Sequence, residues 1–157
     1  MKDLALETAT EVLIKPFEGY GKVIDAKGTC ISYPDPGTGG VPWTIGYGST
    51  GPGIVQGTVM SKAQCEDLLL HHVQSFANGV LTLSPCLREY PNKFAAIISF
   101  AYNCGLRNYR ISTLRKRVNE RDWFGASQEI LKWDKAAGRR LKGLTRRRTA
   151  ESLLLLK

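Results

Sequence analysis

From Leu4 to Phe17 the apolar residues Leu6, Leu13, Ile14 and Phe17 recur at helical spacing among Asp3, Glu7, Glu11 and Lys15. That pattern predicts a first helix ending near Pro16 to Glu18. Beyond it the period changes. Tyr20–Ile24 and Thr29–Tyr33 are β-prone runs separated by Asp25-Ala26-Lys27-Gly28, whose terminal glycine suits a tight turn, and they predict a hairpin. Residues 34–53 hold four prolines and seven glycines, too many for a helix, with a short third strand expected from Trp43 to Tyr47. The chain then reads as helical. Ser61-Lys62-Ala63-Gln64 is a capping box opening a helix to about Ala77, with Cys65, Leu68, Leu69, His72, Val73 and Phe76 on its apolar side. Pro91 opens another that Gly105 stops, and further helices are expected over Ser112–Asn119, Asp122 to about Ala137, and Thr145–Leu155. The expected architecture is α+β in a single domain over 1–157, with a small sheet-bearing lobe (1–60) and a larger helical lobe (61–157).

Composition narrows the class. Hydrophobic residues are 43% and charged residues 23% of 157, which excludes disordered, collagen-like and coiled-coil chains. No apolar run approaches the roughly 20 residues that span a bilayer. The first residues lack a basic segment followed by an apolar one, so no secretory leader is expected. The charge of +8 is uneven: residues 1–60 hold four basic and six acidic side chains, and the remainder hold eighteen and eight. Such a bias expects an anionic partner, whether nucleic acid, a membrane surface or an acidic polymer. Cys30, Cys65, Cys86 and Cys104 match no zinc-ligand spacing and are too sparse for a disulfide scaffold, so neither metal nor cofactor is expected.

Carboxylates are the first candidate chemistry, because glycosidic hydrolysis needs a carboxylic acid and a second carboxylate. Glu18 stands where the first helix meets the hairpin. Asp35 follows 17 residues later, about 55 Å away if extended, so only the reversal at Asp25–Gly28 can bring the two together. Pro34 and Pro36 flank Asp35 and hold it in extended geometry. Thr44 lies on the third strand before Gly46 and Gly48, where absent side chains admit a bulky polymer. The spacing alone fits equally a capped helix, a turn Asp and a strand Thr.

Phe17-Glu18-Gly19, Tyr33-Pro34-Asp35-Pro36 and Trp43-Thr44-Ile45-Gly46-Tyr47-Gly48 resemble the Glu, Asp, Thr signature of the phage-type lysozymes, glycoside hydrolase family 24. The likeness continues through Ala95–Gly105, Ser112-Thr113-Leu114, Trp133, and Gly143–Arg148 with Glu151, and covers nearly the whole chain from Ile14 onward. The resemblance implies a lysozyme-like fold with a cleft between the two lobes. It implies Glu18 as general acid, with Asp35 and Thr44 holding the attacking water, and Tyr102, Asn103 and Thr113 lining the sugar cleft. The implied substrate is peptidoglycan, cut between N-acetylmuramic acid and N-acetylglucosamine by an endolysin at host lysis. Glu18 to Asp35 and Asp35 to Thr44 are both longer than in the shortest members, so the sheet lobe carries insertions. Ser49 stands where many relatives have His.

Other features carry less. His71 and His72 are adjacent on a helix, about 100° apart around its axis, and cannot point into one site. Trp123 and Trp133, expected on one helix, read as core packing before sugar stacking. Arg146–Arg148 read as a solvated face or as contacts tying the domain together, with no aromatic interleaving that would favour nucleic acid. Two alternatives to the hydrolase remain: a basic nucleic-acid-binding module, and a membrane-perturbing C-terminus where those arginines precede Leu153–Leu156. The hydrolase reading expects a monomer without a nucleic-acid partner, an anionic envelope surface as a second contact, and residence in the host cytoplasm until lysis, then in the periplasm and wall.

Overall fold

The computed structural model describes residues 2–157. The chain forms two compact units, one of Glu18–His72 and one of Val73–Lys157 with the N-terminal residues up to Phe17. The N-terminal helix goes with the helical unit because it packs on the helix Pro91–Cys104.

In the helical unit, α1 (Lys2–Thr8) runs into a π-helical segment (Ala9–Ile14) and then α2 (Lys15–Glu18). Pro16 explains the wide turn: its ring would meet the carbonyl four residues back, and a π turn before it relieves that contact. Ala5, Ala9, Leu13 and Ile14 are buried on one side. Central to the unit is α4 (Pro91–Cys104), in which every residue from Lys93 to Ala101 is buried. Around it stand α5 (Leu106–Ile111), α6 (Thr113–Asn119), α7 (Trp123–Leu131) and α8 (Lys142–Leu156). Ser112 and Asp122 cap α6 and α7 by accepting from the Arg115 and Gly125 N–H groups.

Several helix boundaries differ from the sequence pattern: α5 is a helix that the pattern does not predict, α8 opens at Lys142 rather than Thr145, and the ends of two more differ for local reasons. The helix α3 (Lys62–Leu83) opens on the expected capping box, with the Gln64 N–H donating to Ser61 Oγ and the Ser61 N–H to Gln64 Oε1. It continues past Ala77 through Asn78-Gly79, since Leu106 packs where a Gly79 side chain would stand and fixes that glycine in the helix. Helix α7, by contrast, stops at Leu131. The chain reverses through a small hairpin, β3 (Lys135–Ala136) with β4 (Arg139–Arg140), around Ala137 and Gly138, both at positive φ as a tight hairpin turn requires. Asp134 anchors that reversal, accepting from the Thr145 hydroxyl at 2.9 Å and pairing with Arg140 at 3.1 Å.

Two of the three arginines in the run 146–148 are buried, and Arg146 alone is exposed. Arg147 and Arg148 are 3% and 0% exposed and both pair with Glu151, itself fully buried, at 3.4 and 2.8 Å. Ser99 Oγ donates to the same carboxylate at 2.7 Å, and Arg148 Nη1 donates to Cys104 Sγ. The two guanidinium groups lie over the Phe17 and Phe100 rings. Leu155 is buried as well, so α8 is a core helix and not the free cationic amphipathic segment that its sequence allows. Trp133 packs edge-on against Phe100 at 5.4 Å, and Trp123 lies beside Tyr90 at 5.0 Å.

In the other unit regular structure is sparse. The strands β1 (Cys30–Ile31) and β2 (Val59–Met60) pair antiparallel, and β2 is a strand that the residue pattern does not predict. The expected hairpin and third strand persist as isolated bridges, Val23 with Cys30, Gly21 with Gly46, Tyr33 with Thr44 and Ile45 with Ser49. Cys30, Ile45, Ile54 and Cys65 form the buried centre, with Tyr20, Trp43, Met60 and Leu68 packed around it. All four cysteines are free thiols.

Candidate active site

Glu18 is the last residue of α2, and Gly19 at φ 72° turns the chain out of the helix. Its half-buried carboxylate lies against Gly48, where an added Cβ would stand 2.9 Å from Glu18 Oε2. Gly48 also sits at φ 81°, which disfavours any side chain. Its place is fixed by the turn closed by Ile45 and Ser49, each donating its N–H to the other's carbonyl at 2.9 and 3.0 Å. The phenol of Tyr33 lies within electrostatic reach of Glu18. Burial, and next the Glu18 charge, push its pKa above the ordinary tyrosine value. Tyr33 enters the sequence reading only as part of a motif; its position one residue before Pro34 is the signal that could have singled it out.

Asp35 follows Tyr33 by two residues and is held as the head of its own turn. Its Oδ2 accepts from the Gly37 and Thr38 N–H groups at 3.0 Å each, and its carbonyl accepts from the Gly39 N–H at 2.7 Å. The prolines set the entry to this loop, but these N–H groups aim the carboxylate. Thr44 is paired with Tyr33 through two backbone hydrogen bonds of 2.9 Å. It is buried, and its hydroxyl makes a long 3.4 Å contact to the Pro42 carbonyl. One framework, the bridge between Tyr33 and Thr44 and the turn beyond it, thus carries Asp35, Thr44 and the glycine against which Glu18 rests.

Three further features complete the surroundings. Ser49, the departure from the resemblance noted above, is 2% exposed, and its Oγ has no hydrogen-bond partner among the described residues. Tyr47 is buried beside Tyr20, ring centroids 4.7 Å apart, and its hydroxyl donates to Glu66 Oε1 at 3.3 Å. Tyr20 in turn donates to the Gly28 carbonyl at 2.6 Å, tying the hairpin turn to the core.

The other candidates belong to the helical unit. Tyr102 is half-buried on α4, its ring packed edge-on against Phe76 at 5.5 Å. Asn103 is exposed beside it, and Thr113 is exposed at the start of α6.

Comparison with known proteins identifies the family. The sequence model of the Phage lysozyme family matches residues 27–151. An endolysin of Bacillus phage B103 is 39% identical over 114 residues, which are 73% of this chain and 43% of that protein, so the chain spans less than half the length of that relative. A SAR-endolysin of Enterobacteria phage P21 is 34% identical over 116 residues, 73% of this chain and 68% of the relative. Among solved structures, the muramidase domain of SpmX from Asticaccaulis excentricus superposes with a TM-score of 0.75 at 28% identity, covering 98% of this chain and 95% of that one. With its helical unit, small antiparallel sheets and Glu, Asp and Thr on one framework, this α+β chain belongs to the phage lysozyme family.

Proposed function

We propose that the chain is a muramidase, hydrolysing the β-1,4 bond between N-acetylmuramic acid and N-acetylglucosamine of bacterial peptidoglycan as the lytic enzyme of a phage. The observation that carries this reading is the Glu18 carboxylate at the end of α2, seated on the bare backbone of Gly48. A side chain there would occupy the space that a polymer and the acid need. In this reading Glu18 protonates the leaving glycosidic oxygen. Asp35, with Oδ2 held by two N–H groups, offers Oδ1 to a water, and the Thr44 hydroxyl directs that water. Water, not the enzyme, then attacks the anomeric carbon, and the configuration inverts. Tyr102, Asn103 and Thr113 supply contacts to the sugar chain.

The test is clearing of purified peptidoglycan. Glu18→Gln should lose at least about 100-fold, because general acid catalysis typically supplies that much. Retained activity in a folded Glu18→Gln protein would remove the acid from the mechanism. Inversion has its own measurement: NMR of the first product should show the α-anomer, and an initial β-anomer would mean a glycosyl-enzyme. Among the described residues no helix is long and apolar enough to cross a membrane. We take the enzyme to act as a monomer on the wall after release from the host cytoplasm. Fractionation before lysis that finds it already in the periplasm would contradict that order.

A further inference from the structure

Several arginines of the helical unit have carboxylate partners, among them Arg117, Arg121 and Arg140. Arg147 and Arg148 are spent on Glu151, whereas Arg88, Arg107 and Arg110 are exposed and border a groove that the proposed hydrolysis does not use. Gly79, Thr82 and Leu83 at the end of α3 and Leu106, Arg107 and Arg110 of α5 line an open hollow of about 460 Å³. Its lining is almost wholly hydrocarbon, from Leu83, Leu106 and the arginine stems. Thr82 forms a ridge, and beyond it Asn78, Leu81, Pro85 and Arg88 line a second hollow of about 320 Å³. No carboxylate lines either one.

The walls are fixed without help from an occupant. Arg115 donates from Nε to the Leu83 carbonyl and from Nη1 to the Arg110 carbonyl, both at 3.1 Å, which ties the end of α3 to the end of α5. Asn119 Nδ2 donates to the same Leu83 carbonyl at 3.2 Å. Beneath them the Ser84 and Tyr109 hydroxyls are hydrogen-bonded at 2.6 Å in a buried site.

An apolar floor selects hydrocarbon, and guanidinium groups at its rim select a phosphate, which they grip in a planar fork. A glycan or a nucleic acid supplies no chain for the floor. We propose that this groove binds an anionic phospholipid of the bacterial membrane, its phosphate between Arg107 and Arg110 and one acyl chain along Leu83 and Leu106. The proposal is independent of the hydrolytic reading, because none of these residues belongs to the Glu18 framework.

The experiment is sedimentation of the full chain with phosphatidylglycerol vesicles at physiological salt, with phosphatidylcholine vesicles as reference. Binding should favour phosphatidylglycerol, and Arg107→Gln with Arg110→Gln should weaken it about 25-fold, roughly five-fold for each basic residue near an anionic surface. Lys135→Gln with Arg139→Gln removes the same charge from the exposed β3–β4 hairpin and should cost at most a few-fold. Equal loss in the two pairs would overturn the site in favour of diffuse charge. The acyl chain is tested separately by Leu83→Trp, whose added fluorescence should be quenched by phosphatidylglycerol with brominated chains; no added quenching would overturn the groove. Full displacement by soluble glycerol phosphate would likewise show that the hydrocarbon floor contributes nothing. Glu18→Gln should bind vesicles as wild type does, so the two proposals fail separately.

Discussion

Between Glu18 and His72 the chain is held by the short β1–β2 pair, isolated bridges and turns around a four-residue buried centre, whereas the helical unit wraps its elements around an α4 that is buried along most of its length. The first region commits its sequence to backbone geometry: glycines 19, 28, 46 and 48 all sit at positive φ, and the Asp35 side chain caps its own loop. The second commits even its charges to the core, as Arg147, Arg148 and Glu151 show. Burial of an ion cluster is sustainable only where every member is paired, and where it is paired, removing one member is costly. The comparison therefore separates two kinds of sensitivity. Changes in the helical unit should be felt first as stability, and changes near the Glu18 framework first as rate.

The largest effect should come from Glu151→Ala. It strands two guanidinium groups in the core, and breaking a buried pair by deleting one partner costs about 3 to 5 kcal/mol. For a chain of this size that is a fall in Tm of roughly 10 °C or more. Thermal denaturation measures it directly. A change within about 1 kcal/mol would mean that the cluster is no more than neutral and that the hydrocarbon around it does the stabilising.

Gly48→Ala tests the other side of the comparison. The residue is at φ 81°, where a side chain costs about 1 to 2 kcal/mol, and the new methyl group would meet Glu18 Oε2. Moving an acid by about 1 Å can cost on the order of 100-fold in rate, so activity on peptidoglycan should fall far more than the stability loss explains. A variant that loses stability but keeps wild-type turnover would show that Glu18 does not need this contact.

The same contrast decides how much could be read before the structure. Helices announced themselves by period and by caps, so the Ser61–Gln64 box and the Ser112 and Asp122 caps stand where the residues indicate. Failures came where a distant side chain overrode a local signal. Leu106 keeps Gly79 helical, and Asp134 with Thr145 ends α7 early. For the arginine run the pattern offered a solvated face or contacts tying the domain together, and only the position of Glu151 and Ser99 decides between them: Arg147 and Arg148 are tied in, and Arg146 stays exposed. At the candidate site the residue types were legible from motif and resemblance. The pairing of Thr44 with Tyr33, the cradle of N–H groups around Asp35 and the unpartnered Ser49 hydroxyl were not, because each depends on backbone register that no periodicity encodes.

The smallest effect, and the sharpest probe of the glycine-rich region, lies in the turn that returns the chain from Glu18 toward Asp35. Asp25 Oδ1 accepts from the Lys27 and Thr29 N–H groups at 2.9 and 3.0 Å, and Gly28 completes the reversal at φ 85°. The Thr29 hydroxyl first, and then the Thr29 N–H, favour the carboxylate over the acid and hold Asp25 below its ordinary pKa of 3.8. A folded pKa that is depressed adds stability above the unfolded value, and that stability is lost as the pH falls through the folded value. Asp25→Ala should therefore melt slightly below wild type at neutral pH, and the gap should close once the pH drops below 3.8. Because the carboxylate is fully exposed the gap is small and salt-sensitive, in contrast to the loss expected at the buried Glu151. Paired melting curves from pH 7 to pH 2 measure it. A gap that persists undiminished at pH 2 would show that the turn depends on the backbone preferences of its residues and not on the carboxylate's charge.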